Sequence, residues 1–121
     1  MIYESVTVVE SKVASGVKYT VAKMSFGRRM ELMRQVRELA RKMEFLEAGH
    51  DPGQKMDAGL LRVEINRLYV KWGLRAISGL DLDGVEATPE SLVETGPEEL
   101  FREAVAVVRT QTGLSAAERK N

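Results

Sequence analysis

The feature that most constrains this chain is a hard break between two long runs of helical spacing. From Phe26 to Ala48 the apolar residues Leu32, Val36, Leu39, Met43 and Leu46 fall on one stripe, the pattern of an amphipathic helix. Ser25 stands where a capping residue belongs. Gly49-His50-Asp51-Pro52-Gly53 then ends the run, because proline disfavours helix in the residue before it and glycine relaxes the backbone. A second run, from about Gln54 to Trp72, carries Leu61, Ile65, Leu68 and Trp72 on one face and Arg62, Arg67 and Lys71 off it, with Gly73 expected to end it. So short a connection predicts two antiparallel helices that pair their apolar stripes.

The flanks carry a different periodicity. Val6, Val8 and Val9, then Val17, Tyr19, Val21 and Met24, read as two strands joined through the Ser11–Gly16 loop. After the second helix, Asp83-Gly84 has the chemistry of a tight turn, which predicts a small hairpin over about residues 75–87. Thr88-Pro89 is a helix start, with Gly96 closing that helix, and Pro97 opens another that has Glu98 and Glu99 in its first turn. Phe101, Ala104, Val105, Val108 and Thr112 are expected to form its buried side. Gly113 fits a helix cap, and Ser115 to Glu118 has capping-box spacing. The fold class is therefore α+β: an N-terminal β-hairpin, an antiparallel helix pair, a small second hairpin and C-terminal helices. Length predicts one domain over residues 1–121, with 115–121 as a frayed C-terminal end.

Eighteen basic side chains balance 18 acidic ones, so the whole molecule has no net field with which to collect nucleic acid. The charge is nevertheless segregated. Between Asp81 and Glu103 the carboxylates of Asp81, Asp83, Glu86, Glu90, Glu94, Glu98, Glu99 and Glu103 meet only Arg102, whereas the helical stretches before them carry surplus Arg and Lys. Such a surface suits contact with another macromolecule. The chain has no cysteine, which excludes disulfides and thiolate zinc sites and fits a reducing cytosol. No secretory signal or membrane-length apolar run is present, so a cytoplasmic location without membrane contact is expected.

His50 and Asp51 are the one pair suggesting metal or acid–base chemistry, and they are too few ligands for zinc; a solvated turn is the better reading. Asp81 and Asp83 beside Gly84 lack the other ligands of a calcium loop, and the chain has neither a nucleophile elbow nor a glycine-rich phosphate loop. No catalytic residue, cofactor or metal site is therefore expected. Arg34, Arg37 and Arg41 line the first helix opposite its apolar stripe. Glu31, Glu38, Glu44 and Glu47 interrupt them, and Glu38 and Lys42 have ion-pair spacing, so nucleic acid is a poor fit and an acidic protein surface a better one. Methionines concentrate in the helical half, where unbranched, polarisable side chains can repack against varied apolar partners. Met30 and Met33, with Arg34, Arg37 and Arg41, are the candidate partner-binding residues.

The order Ser25-Phe26-Gly27, Leu68-Tyr69-Val70-Lys71-Trp72-Gly73-Leu74, Gly79-Leu80 with Asp83-Gly84, Thr88-Pro89-Glu90-Ser91-Leu92, Pro97-Glu98-Glu99-Leu100 with Arg102-Glu103, and Gly113-Leu114-Ser115 with Glu118-Arg119-Lys120-Asn121 resembles tail assembly chaperones of long-tailed bacteriophages and prophages. The resemblance covers roughly residues 17–121 and lies in the layout, not in any single motif. It implies a non-catalytic role in virion morphogenesis: holding the long, helical tape measure protein during tail assembly, with the tail-tube protein as a further partner, as a homo-oligomer in the bacterial cytoplasm. The alternatives are a tail-completion or head–tail connector protein, or a small DNA-binding regulator using the Arg34, Arg37, Arg41 stripe.

Overall fold

Val17, Tyr19 and Val21 alternate with more polar neighbours and all three are buried, which marks their segment as the centre of a sheet. The computed structural model describes residues 1–111, in the order β1 (Val6–Glu10), β2 (Lys18–Ala22), α1 (Phe26–Glu47), α2 (Pro52–Gly73), β3 (Leu74–Ser78), β4 (Asp81–Leu82), β5 (Val85–Glu86), α3 (Pro89–Thr95) and α4 (Glu98–Gln111). This is the α+β arrangement expected. Thr112, the Gly113 cap, the capping-box spacing from Ser115 and the frayed end at 115–121 lie outside the described residues. The chain divides into two compact units, one made of Met1–Met24 with the chain from Tyr69 on, the other of Ser25–Leu68.

In the first unit, β2 lies between β1 and β3 in an antiparallel sheet. The small hairpin is shorter than expected, because Leu74–Ser78 pairs with β2 and not with β4. The physical reason is burial. Leu74 and Ile77 sit opposite Val21 and Tyr19 and are each only 4% exposed, whereas a two-stranded ribbon would leave them in water. β4 and β5 keep the tight turn: Asp83 and Gly84 have φ of 53° and 82°, the left-handed pair that a two-residue hairpin turn of this type needs.

α3 packs against β3 and α4, and α4 packs against β2. Thr88 caps α3 reciprocally: its hydroxyl accepts from the Ser91 N–H at 3.1 Å, and the Ser91 hydroxyl accepts from the Thr88 N–H at 2.8 Å. α4 buries Leu100, Ala104, Val105 and Val108, while Phe101 is half-buried, so Leu100 takes the inward position assigned to Phe101 from the sequence. α2 passes into β3 with no loop, and Gly73 at this junction packs against α4. A Cβ there would lie 2.3 Å from the Val108 side chain, so only glycine lets the end of α2 come this close to α4.

The second unit is the helix pair. The Ser25 hydroxyl accepts from the Arg28 N–H, as its position predicts. α2 begins at Pro52, earlier than expected, because Pro52 occupies the first turn and Asp51 caps it. The Asp51 carbonyl accepts from Gln54 and Lys55, and its carboxylate from the Gly53 N–H at 3.0 Å. Glu47 and Arg62 form an ion pair between the helices near the connection.

Candidate functional site

With 3.6 residues per turn, Leu32, Val36, Leu39, Met43 and Leu46 share one side of α1, and Phe26, Met30, Arg34, Arg37, Arg41 and Phe45 share the other. The inward stripe is incompletely covered: Leu32 is buried, and the remaining four are half-buried. Two helices alone cannot close both flanks of such a stripe. On the outward side Phe26 and Phe45 are each 73% exposed and Met30 is 52% exposed.

Of the residues predicted to bind a partner, Met30, Arg34, Arg37 and Arg41 are exposed and Met33 is half-buried at the margin of the same face. An open hollow on α1 is lined by Gly27, Met30, Glu31, Met33, Arg34 and Arg37, so both methionines border it. Glu31 sits among the arginines and accepts from Arg34 and, at 3.2 Å, from Gln35. These bonds hold the Glu31 carboxyl below its ordinary range and the Arg34 guanidinium above its own. Arg34 is thus partly neutralised, while Arg37 and Arg41 have no ion-pair partner among the described residues. The Glu38–Lys42 pair allowed by spacing is not formed among the described residues. A further hollow, lined by Arg41, Lys42, Phe45, Leu46 and Leu61, continues the face onto α2.

α2 adds a feature that reading a single stripe missed. Ala58 and Ile65 are buried with Leu61 and Leu68 half-buried beside them, yet Met56, Leu60 and Val63 are 74%, 64% and 50% exposed. Their spacing puts these three on the opposite side of the helix. A solvated helix ordinarily carries polar residues there. The four-then-three spacing of Met56, Leu60 and Val63 was visible in the sequence and was the available signal.

A second perturbed carboxylate lies in the first unit. The Glu103 carboxylate accepts from the Ser11 and Tyr19 hydroxyls and from the backbone N–H groups of Lys12 and Val13, the last two at 2.8 and 3.3 Å. Burial pushes its carboxyl up, and these donors outweigh burial and bring it below the ordinary value. Tyr19 is pushed well above the phenol range by its own burial and by the Glu103 carboxylate. The cluster pins the β1–β2 loop and β2 to α4. Sequence reading placed Glu103 only in the acidic run; an acid bordering the Leu100, Ala104, Val108 stripe was the signal that it needed donors from inside.

His50 is exposed, and among the described residues no group of three or more His, Cys, Asp or Glu could hold a metal ion. No helix among the described residues is long and apolar enough to cross a membrane. No protein-family model, curated protein or solved structure matches the chain.

Proposed function

We propose that this chain is a non-catalytic binding protein that holds helical segments of another polypeptide, acting as a tail assembly chaperone for a tape measure protein in the bacterial cytoplasm. The observation that carries the reading is the second apolar stripe of α2, Met56, Leu60 and Val63, exposed on a helix whose other stripe already faces inward. Exposed apolar side chains at this spacing match the way a helix face takes up a partner helix. Met30, Met33 and Met56 supply adaptable contacts, and Arg37 and Arg41 supply positive charge for an acidic helical partner. The layout resemblance supplies the identity of that partner.

The test is co-expression with the long helical tape measure product and affinity capture. The wild-type chain is expected to retain it. Leu60→Asp combined with Val63→Asp should lose it, while circular dichroism and thermal midpoint stay near wild type because both side chains are exposed. Retention by that double variant and by charge reversal of Arg34, Arg37 and Arg41 would refute this face as the binding surface.

A further inference from the structure

We infer that β1 is a dimerisation strand, through which two copies of this chain join antiparallel about Val8 into one continuous sheet. β1 is the outer strand of its sheet. The Lys23 N–H donates to the Ser5 carbonyl at 2.8 Å and the Ser11 N–H to the Val17 carbonyl at 2.8 Å, just beyond either end of the β1–β2 register. In an antiparallel ladder only alternate residues bond the neighbouring strand. Ser5, Thr7, Val9 and Ser11 therefore spend their backbone groups on β2, and Val6, Val8 and Glu10 turn theirs to the open side. Their side chains are on the outer face as well, with Val8 58% exposed.

Natural edge strands are guarded by Lys, Pro, a bulge or a covering element. β1 contains no Lys and no Pro, and the bulge of the sheet lies between Thr20 and Val21, on the side of β2 that faces β3. At the other edge, α3 packs against β3. Among the described residues of the first unit, the unguarded edge is thus the β1 side.

Charge pattern and the Val8–Val8 contact together favour a second copy as occupant and one register. Pairing Val8 with the partner's Val8 sets Val6 opposite the partner's Glu10, and each such pair exchanges both backbone hydrogen bonds. Just past the strand ends, where the ladder stops and the Lys12 N–H turns to Glu103, the same register places Glu4 on the side of the partner's Lys12, and by symmetry Lys12 on the side of the partner's Glu4. Shifting by one repeat in one direction sets Glu4 against Glu10, and shifting two repeats the other way sets Glu10 against Glu10, like-charge pairs across strands that are unfavourable. Shifting by one repeat the other way loses the Val8–Val8 contact and sets Lys12 against Val6. A strand that matches its own reverse in hydrogen bonds, apolar contact and charge is an isologous interface. This inference does not depend on the identity of any foreign partner.

The experiment is sedimentation of the full chain over a concentration series, with three variants. The wild type is expected to reach a dimer. Val8→Pro removes the N–H at the centre of the interface and none of the β1–β2 bonds, so it should fold with an unchanged circular dichroism spectrum and weaken dimerisation by about 10-fold or more. Glu4→Lys and Lys12→Glu should each weaken the dimer, and the two together should restore it. Since the chain has no cysteine, Val8→Cys gives a single thiol that a short bifunctional thiol reagent should join in the dimer. A chain that stays monomeric, or a dimer indifferent to Val8→Pro and to the charge exchange, overturns the inference. If Val8→Pro unfolds the chain, the charge exchange and the thiol cross-link decide it alone.

Discussion

The phenolic hydroxyl of Tyr19 donates to the Glu103 carboxylate at 2.8 Å, tying the central strand of the sheet to α4. The same carboxylate serves the Ser11 hydroxyl and two backbone N–H groups of the β1–β2 loop. Glu103→Ala would remove an acceptor shared by four donors and leave the Ser11 hydroxyl and the Lys12 N–H without it. The Tyr19 hydroxyl keeps the Leu100 carbonyl at 3.4 Å, and the Val13 N–H keeps the Ser11 hydroxyl oxygen at 3.1 Å; Tyr19→Phe removes one donor. The expected losses are about 1–3 kcal/mol for Glu103→Ala and about 1 kcal/mol for Tyr19→Phe. Urea denaturation measures both, and equal losses would mean that the loop donors contribute nothing.

Acid sensitivity follows from the same carboxylate. Its folded pKa is depressed below the ordinary 4.5, so the unfolded chain binds this proton more readily than the folded one. The stability it contributes is complete above pH about 4.5 and is lost as the pH falls through the folded value. Glu103→Gln should therefore be less stable than wild type at pH 7, and the difference should shrink as both proteins are taken to strongly acidic pH. Glu31, whose carboxyl is also depressed but lies on an exposed helix face, should give a weaker and salt-sensitive version of this behaviour.

Gly73 supplies a test of sign. Alanine in place of glycine ordinarily favours a helix by about 1 kcal/mol. Here the added Cβ would fall 2.3 Å from Val108, a buried side chain with no exposed space to move into. Gly73→Ala is expected to destabilise by about 1–3 kcal/mol. Combined with Val108→Ala it should cost less than the two single changes added together, a coupling that a thermodynamic cycle reads directly.

How far the sequence revealed this molecule depended on the distance between signal and partner. Ser25, Asp83-Gly84 and Thr88-Pro89 act on residues two or three positions away, and each produced the cap or turn that its chemistry requires. For Leu74–Ser78 the nearby turn offers a local pairing that the fold overrides, because its true neighbour, β2, lies far back in the chain. Pairing over such a separation is decided by burial of Leu74 and Ile77, which no local pattern expresses. The Glu103 cluster was hidden for the same reason: Ser11 and Tyr19 meet it only through the fold. On the helix pair the exposed positions of Met30, Arg34, Arg37 and Arg41 followed from periodicity alone. The stripe of Met56, Leu60 and Val63 obeys the same period and was masked by the stronger inward stripe beside it.

The reciprocal cap at Thr88 should be measurable in isolation. Thr88→Ala deletes the acceptor for the Ser91 N–H and is expected to cost about 0.5–2 kcal/mol. Thr88→Ser keeps the oxygen and should cost little. Because the cap starts the helix that packs on β3 and α4, the loss should appear as a lower thermal midpoint of the whole first unit and not as fraying of α3 alone.

Gly16 and Gly79 separate backbone strain from steric exclusion. Both have left-handed φ, 85° and 78°, where an ordinary side chain is strained by about 1–2 kcal/mol. A Cβ at Gly16 meets nothing within 4 Å, so Gly16→Ala should cost that strain and no more. At Gly79 the Cβ would stand 2.1 Å from the Gly16 carbonyl oxygen, a backbone atom that cannot turn aside as a side chain can. Gly79→Ala must therefore part the β1–β2 loop from the end of β3, and its loss of stability should exceed that of Gly16→Ala. Amide exchange should show the difference locally, with faster exchange at the Val17 and Ser11 N–H groups in Gly79→Ala than in Gly16→Ala at matched overall stability. Equal stability losses in the two variants would mean that the loop yields without cost and that the close approach of the two glycines is incidental.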